Sequence, residues 1–169
     1  MKTIGVLGGM GPAATADFLQ KLVDSTDAAT DQEHPKVLLW SNPTIPDRTE
    51  AIVNNGEDPT PHLLDGAQLF QRGGADVFAV PCNGAHAFLP EVVKNVNIEL
   101  VSILDATVYK LQQLSPTPKK IGLLASEATV QAELYKKALE KAGFELLTPN
   151  HEERHGKKEY AAFNSERIS

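Results

Sequence analysis

Apolar runs of four to six residues alternate along the chain with longer stretches whose apolar positions recur every three or four residues. That is the pattern of βαβ units built around a parallel sheet. Residues 3–7 predict a first strand, and the glycines and proline of Gly8-Gly9-Met10-Gly11-Pro12 predict a tight loop opening a helix. Phe18, Leu19, Leu22 and Val23 place an apolar stripe on that helix, over residues 13–28. A second strand is expected at 37–40, followed by a segment, 42–48, too proline-rich to be regular. A helix over 62–72, closed by Gly73-Gly74, leads to residues 77–80, which are wholly apolar and so expected at the centre of the sheet. After Cys82 a short helix is expected, interrupted near Pro90. A strand at 100–103, a helix at 105–114, a strand at 121–125, a helix at 128–142 ended by Gly143 and a strand at 144–148 complete the series. Beyond Pro149 the pattern dissolves into polar residues.

The fold expected is therefore α/β, a parallel sheet flanked by helices. Ser115-Pro116-Thr117-Pro118 is the best linker, dividing an N-terminal lobe (1–114) from a partial second lobe (115–149) and a polar tail (150–169). Ile4-Gly5-Val6-Leu7 and Ile121-Gly122-Leu123-Leu124 each precede a helix, an echo that two similar lobes would produce and that chance would also produce. No period of a solenoid is present.

Composition narrows the function classes. With 169 residues, 41% hydrophobic and 22% charged, the chain can build a real core. A net charge of −6 argues against a general nucleic-acid or anionic-membrane surface. An acidic ligand would need a local cation or a helix N-terminus. The single cysteine rules out an internal disulfide and fits a reducing compartment. No run approaches the ~18 apolar residues of a membrane span. The glycines and proline of the N-terminal run fit a strand and turn better than a signal peptide, so a cytoplasmic protein is expected.

Ligands of open parallel sheets bind beyond the carboxyl ends of the strands. Three loops fall there: Gly8 to Gly11, Pro43 to Arg48, and Pro81 to His86. The glycines do not space as a dinucleotide fingerprint, and a small anion at the helix start suits them better. Arg48 could fork a carboxylate, or it could pair with Asp47 or simply be solvated. Cys82 directly follows an apolar strand and Pro81, at the start of a turn or helix whose dipole favours a thiolate. His86, four residues on, is close enough to assist. A lone cysteine is more often a small buried hydrophobe, but the polar Asn83 and the strand-end position favour a functional one. His151-Glu152-Glu153-Arg154-His155 spells a zinc-peptidase word without its apolar surroundings, and no metal site is expected from it. Ser126 and Ser102 have no credible histidine–carboxylate partners.

Taken together, the words Gly8-Gly9-Met10-Gly11-Pro12-Ala13-Ala14-Thr15, Pro46-Asp47-Arg48-Thr49 and Pro81-Cys82-Asn83-Gly84-Ala85-His86 resemble the aspartate/glutamate racemase family, in its aspartate racemase branch. A fourth word, Leu123-Leu124-Ala125-Ser126-Glu127-Ala128-Thr129-Val130 with Leu134-Tyr135 beyond it, resembles the same family. The resemblance implies two similar α/β lobes with a site between them, and no pyridoxal phosphate, metal or nucleotide. It implies a thiol from each lobe, one removing the Cα proton and the other returning one to the opposite face. Carried over residue by residue, Cys82 is one acid/base, Arg48 grips the substrate carboxylate, and Met10, Asn83 and Gly84 line the pocket.

The chain departs from the family pattern in three ways. The family's second cysteine, in a Gly-Cys-Thr-Glu-like word, is absent, and the chain reads as shortened at its C-terminus. Gly84 stands where this branch usually has threonine. The resemblance stops near Pro149. An aspartate or glutamate racemase is thus expected, against a silent homologue that binds a small dicarboxylate or acts as a partner domain, and against a one-thiol decarboxylase or isomerase. A second lobe reduced to about two strands and two helices exposes apolar edge and face, so self-association or marginal stability is expected.

Overall fold

The computed structural model of the chain describes residues 2–149. Four strands, β1 (Thr3–Gly8), β2 (Lys36–Ser41), β3 (Val77–Ala79) and β4 (Glu99–Val101), form a parallel sheet in the order β2-β1-β3-β4. Ile4 lies opposite Val37 on one side and Val77 on the other, and Phe78 lies opposite Leu100. β3, the wholly apolar strand, is an interior strand and fully buried, whereas the edge strands β2 and β4 alternate exposed and half-buried positions. Parallel pairing requires crossovers, and helices supply each one. They are α1 (Pro12–Asp24), then α2 (Arg48–Val53) and α3 (Thr60–Arg72), then α4 (Leu89–Val93), with α5 (Ile103–Gln112) leaving the sheet. A second parallel pair, β5 (Lys120–Gly122) and β6 (Glu145–Leu147), is joined through α6 (Glu127–Gln131) and α7 (Leu134–Lys141). The architecture is α/β, as the alternation of apolar runs implies.

The core lies between the first sheet and α3. Leu63, Ala67 and Phe70 fall at helical spacing on α3 and join Leu7, Phe78, Val80, Leu89 and Val92 in one buried cluster. Gly66, on the same face, lets α3 approach Trp40. A Cβ there would stand 2.3 Å from the indole ring and 2.8 Å from Leu7.

Several boundaries differ from the sequence expectation, each for a local reason. The proline-rich segment ends in a helix, α2, because the Asp47 carboxylate accepts from the Glu50 amide and caps it. The strand expected to reach Ile103 stops at Val101. Ser102 caps α5 by accepting from the Leu104 and Asp105 amides, which makes Ile103 helical. The helix expected over 128–142 is two helices, broken at Glu133, whose φ of 51° is left-handed. Pro90 sits in the first turn of α4, where its missing N–H costs nothing, and a separate 3-10 turn spans Gly84–Ala87. The tail from residue 150, with its His151–His155 word, lies outside the described residues. No helix among the described residues is long and apolar enough to cross a membrane.

Candidate active site

Because every strand of the first sheet runs the same way, the loops after β1, β2 and β3 share one end. Those three loops carry the residues singled out by sequence. The structure brings Arg48, Cys82, Asn83 and Gly84 together on one wall of a cleft of about 360 Å³. Leu123, Ser126 and Tyr135, from the second half of the chain, line the facing wall. Arg48 is the one charged residue among the lining residues.

Cys82 stands three residues beyond the end of β3, half-buried against the core. Its N–H donates to the Val80 carbonyl at 2.8 Å, which turns the chain out of the strand direction. The next element is the four-residue 3-10 turn, so the dipole at the thiol is that of a single turn rather than a helix. His86 makes no hydrogen bond to the thiol itself among the described residues. Its Nδ1 lies 2.8 Å from the Cys82 carbonyl oxygen, and the Ile103 amide donates to its Nε2 at 3.2 Å. An amide donor makes Nε2 the acceptor, so Nδ1 carries the proton and donates to Cys82. Burial lowers the His86 pKa below its ordinary value. The bond to Cys82 and the charge of Asp105 act the other way without cancelling it.

Arg48 opens α2, and its Nη1 donates to the carbonyls of Ile45 (3.1 Å) and Pro46 (2.9 Å). Asp47 is occupied in capping α2, so the expected alternative of an Asp47–Arg48 pair is not what holds the guanidinium. The Arg48 Nε is buried and has no partner among the described residues. Tethering Nη1 leaves Nε and Nη2, the edge a carboxylate meets in a bidentate pair. Gly84 lies against the arginine stem, where an added Cβ would come 3.2 Å from Arg48 Cβ.

The other candidates are placed differently. Met10 is 7% exposed and belongs to the apolar cluster with Ile45 and Leu7, and it is not among the cleft-lining residues. The glycine loop is used internally. The Gly9 amide donates to Thr15 Oγ1 at 2.9 Å, and that hydroxyl donates to the Gly11 carbonyl, so this amide is not held ready for an anion. Two residues acquire a place in the cleft that sequence reasoning did not assign. Ser126 caps α6 and lies 3.0 Å, oxygen to oxygen, from the Thr129 hydroxyl. Tyr135 donates its hydroxyl to Asn83 Oδ1 at 2.7 Å. The word Leu134-Tyr135 was the one signal for it, and that word carries no partner.

A family model described as Asp/Glu/Hydantoin racemase matches residues 7–167, running past Pro149 where the resemblance read from sequence stops. The chain is 31% identical over 153 residues to the broad specificity amino-acid racemase RacX of Bacillus subtilis (strain 168), covering 88% of this chain and 65% of that protein. Against the glutamate racemase of Aquifex pyrophilus it is 30% identical over 87 residues, 51% of this chain and 34% of that one. The chain thus spans less than two thirds of the length of these two relatives. Among solved structures, an aspartate racemase from Picrophilus torridus superposes with a TM-score of 0.82 at 30% identity, over 99% of this chain and 71% of the other. An aspartate racemase homologue from Pyrococcus horikoshii OT3 gives 0.74 at 28% identity, over 92% and 68%.

Proposed function

The chain belongs to the Asp/Glu/Hydantoin racemase family, and from that premise we propose that its cleft performs cofactor-independent proton transfer at the Cα of a small amino acid, with Cys82 as one acid/base. The observation that supports this reading is the shared wall. A half-buried thiol residue and an arginine tethered through Nη1 line the same cleft. In the forward step the Cys82 thiolate takes the Cα proton. The C–H bond breaks, an S–H bond forms, and the electron pair spreads from Cα into the carboxylate. Arg48, forked onto that carboxylate, opposes the charge as it develops there. Asn83 and Gly84 shape the wall between the two. Reversal returns the proton to the same face. Inversion requires an acid on the opposite face, and the sequence holds a single cysteine.

Aspartate and glutamate are the substrates proposed, in a reducing cytoplasm where a free thiol persists. Self-association is part of the reading, since Leu39, Val101, Leu124 and Leu147 on or beside the strands are 47% exposed or more. The single cysteine favours one further reading, a homologue that binds a small dicarboxylate without turnover.

The test is proton NMR of L-aspartate and L-glutamate incubated with the protein in D₂O, with chiral chromatography of the same samples. Loss of the Cα proton signal with the D-enantiomer appearing, and neither with Cys82→Ser, is the result expected of a racemase. Exchange without inversion identifies a one-face acid/base. No exchange with either amino acid sinks the catalytic reading for both and leaves the binding one.

A further inference from the structure

We propose that His86 is a positioning residue for Cys82, clamping the carbonyl of the thiol-bearing residue to the first amide of α5. The proposal rests on the reading of Cys82 as the reactive group, and it adds what sets the direction of that group. Among the described residues both backbone polar groups of Cys82 are held, N–H by the Val80 carbonyl and C=O by His86 Nδ1. With the peptide units on both sides fixed, the Cα–Cβ bond has one direction relative to Arg48. His86 is 4% exposed, so each ring nitrogen must find a partner within the protein, and each does.

The Cys82 arm is the one that sets the direction of the thiol, and the second partner ties the same ring to α5. The first three amides of α5 are all satisfied by side chains, Ile103 by His86 and Leu104 and Asp105 by Ser102. α5 packs against α7, the helix whose first turn carries Tyr135. One imidazole therefore joins the thiol loop to the element that supports the facing wall.

Two substitutions separate the arms. The side-chain amide of asparagine overlies Nδ1 and can donate to the Cys82 carbonyl, but it falls short of Ile103. Glutamine reaches Ile103 and leaves the Cys82 carbonyl unheld. The readout is the rate of Cys82 alkylation by iodoacetamide, measured beside the urea midpoint. His86→Asn is expected to stay within about twofold of wild type, and His86→Gln to change the rate roughly tenfold, the size set by one lost hydrogen bond. Both should lower the midpoint to a similar extent. Alkylation rates that follow the midpoints, with the two variants alike, would overturn the proposal. So would a nitrogen-15 ring spectrum of the wild-type protein showing the Nε2–H tautomer, a measurement that needs no variant to fold. Alkylation requires no turnover. If Cα exchange is absent while the Asn/Gln split is observed, the racemase reading fails and the clamp stands.

Discussion

The hydroxyl of Tyr135 donates to Oδ1 of Asn83 at 2.7 Å, joining residues 52 apart across the cleft. Burial raises the Tyr135 pKa, against the opposing effect of a hydrogen bond with Thr107. With Oδ1 engaged, the amide nitrogen of Asn83 is the half left to face a ligand. Tyr135→Phe keeps the ring and deletes the bond. A double-mutant cycle with Asn83→Ala, read by urea unfolding, is expected to give a coupling of about 0.5–1 kcal/mol, the net worth of a partly solvated hydrogen bond. A coupling of zero would mean that the two walls are held together by packing alone.

Arg48→Lys replaces a planar fork with a point charge and cannot reproduce the two carbonyl bonds together with the Nε edge. Calorimetric titration with succinate or aspartate should show affinity reduced by roughly tenfold or more. The unfolding midpoint should fall modestly, because the Ile45 and Pro46 carbonyls each lose a donor.

Gly84→Thr brings a Cβ to about the 3.2 Å separation from Arg48 Cβ that any side chain here would have. The arginine stem must give by a few tenths of an ångström. The expected outcome is weaker carboxylate binding at a stability cost on the order of 1 kcal/mol, both measured on the same variant. Unchanged binding would show that the guanidinium is held by its two carbonyls and not by its stem.

His86 gives the fold a pH dependence of defined sign. Its pKa in the folded state lies below the ordinary 6.5, so the unfolded chain binds the proton more readily. The stability linked to it is fully present above pH 6.5 and is lost as pH falls from 6.5 through the folded value. One such proton contributes a slope of at most about 1.4 kcal/mol per pH unit. Subtracting the profile of His86→Asn from that of wild type isolates this slope from the carboxylates, and a flat difference between pH 7 and 5 would contradict it.

Gly66→Ala should be among the most disruptive single changes around the four-stranded sheet. The added methyl meets the Trp40 ring at 2.3 Å, and α3 cannot retreat without lifting Leu63 and Phe70 out of the core. Overpacking of this kind costs about 1–3 kcal/mol, more than the roughly 1 kcal/mol alanine gains in helix propensity. Urea unfolding would show a lower midpoint with an unchanged slope.

The strands and most helices were legible in sequence because their signals are periodic and local. β3 is three consecutive apolar residues, and burial on both faces demands no more. The Arg48–Cys82 wall was legible for a related reason, since both follow strands and parallel strands end together. What could not be read is non-local or carried by single side chains. Asp47 starts a helix with one side-chain hydrogen bond and Ser102 with two, and such residues are as common in turns. Glu133 breaks a helix by its backbone alone, without glycine or proline to announce it. His86 looked like a neighbour of the thiol because it is four residues away. Its ring instead reaches a carbonyl and, 17 residues on, an amide. Met10 shares a word with the site but turns into the cluster around Ile45, a choice fixed by packing that only the folded chain makes.

The cleft has two walls of unequal stiffness. Cys82 is mounted behind β3, which has a hydrogen-bonded neighbour on either side and a fully buried face on both. Tyr135 and Ser126 hang from two three-residue strands that pair with each other alone among the described residues. Strain imposed by a ligand will therefore flow to the softer wall. On that expectation the thiol and arginine keep their spacing as the fixed side of the cleft, and the tyrosine wall is the side that yields. On the proposed reading, a cleft built this way would separate two tasks that a rigid pocket must solve together, holding the reacting carbon in one place and making room for whatever is attached to it.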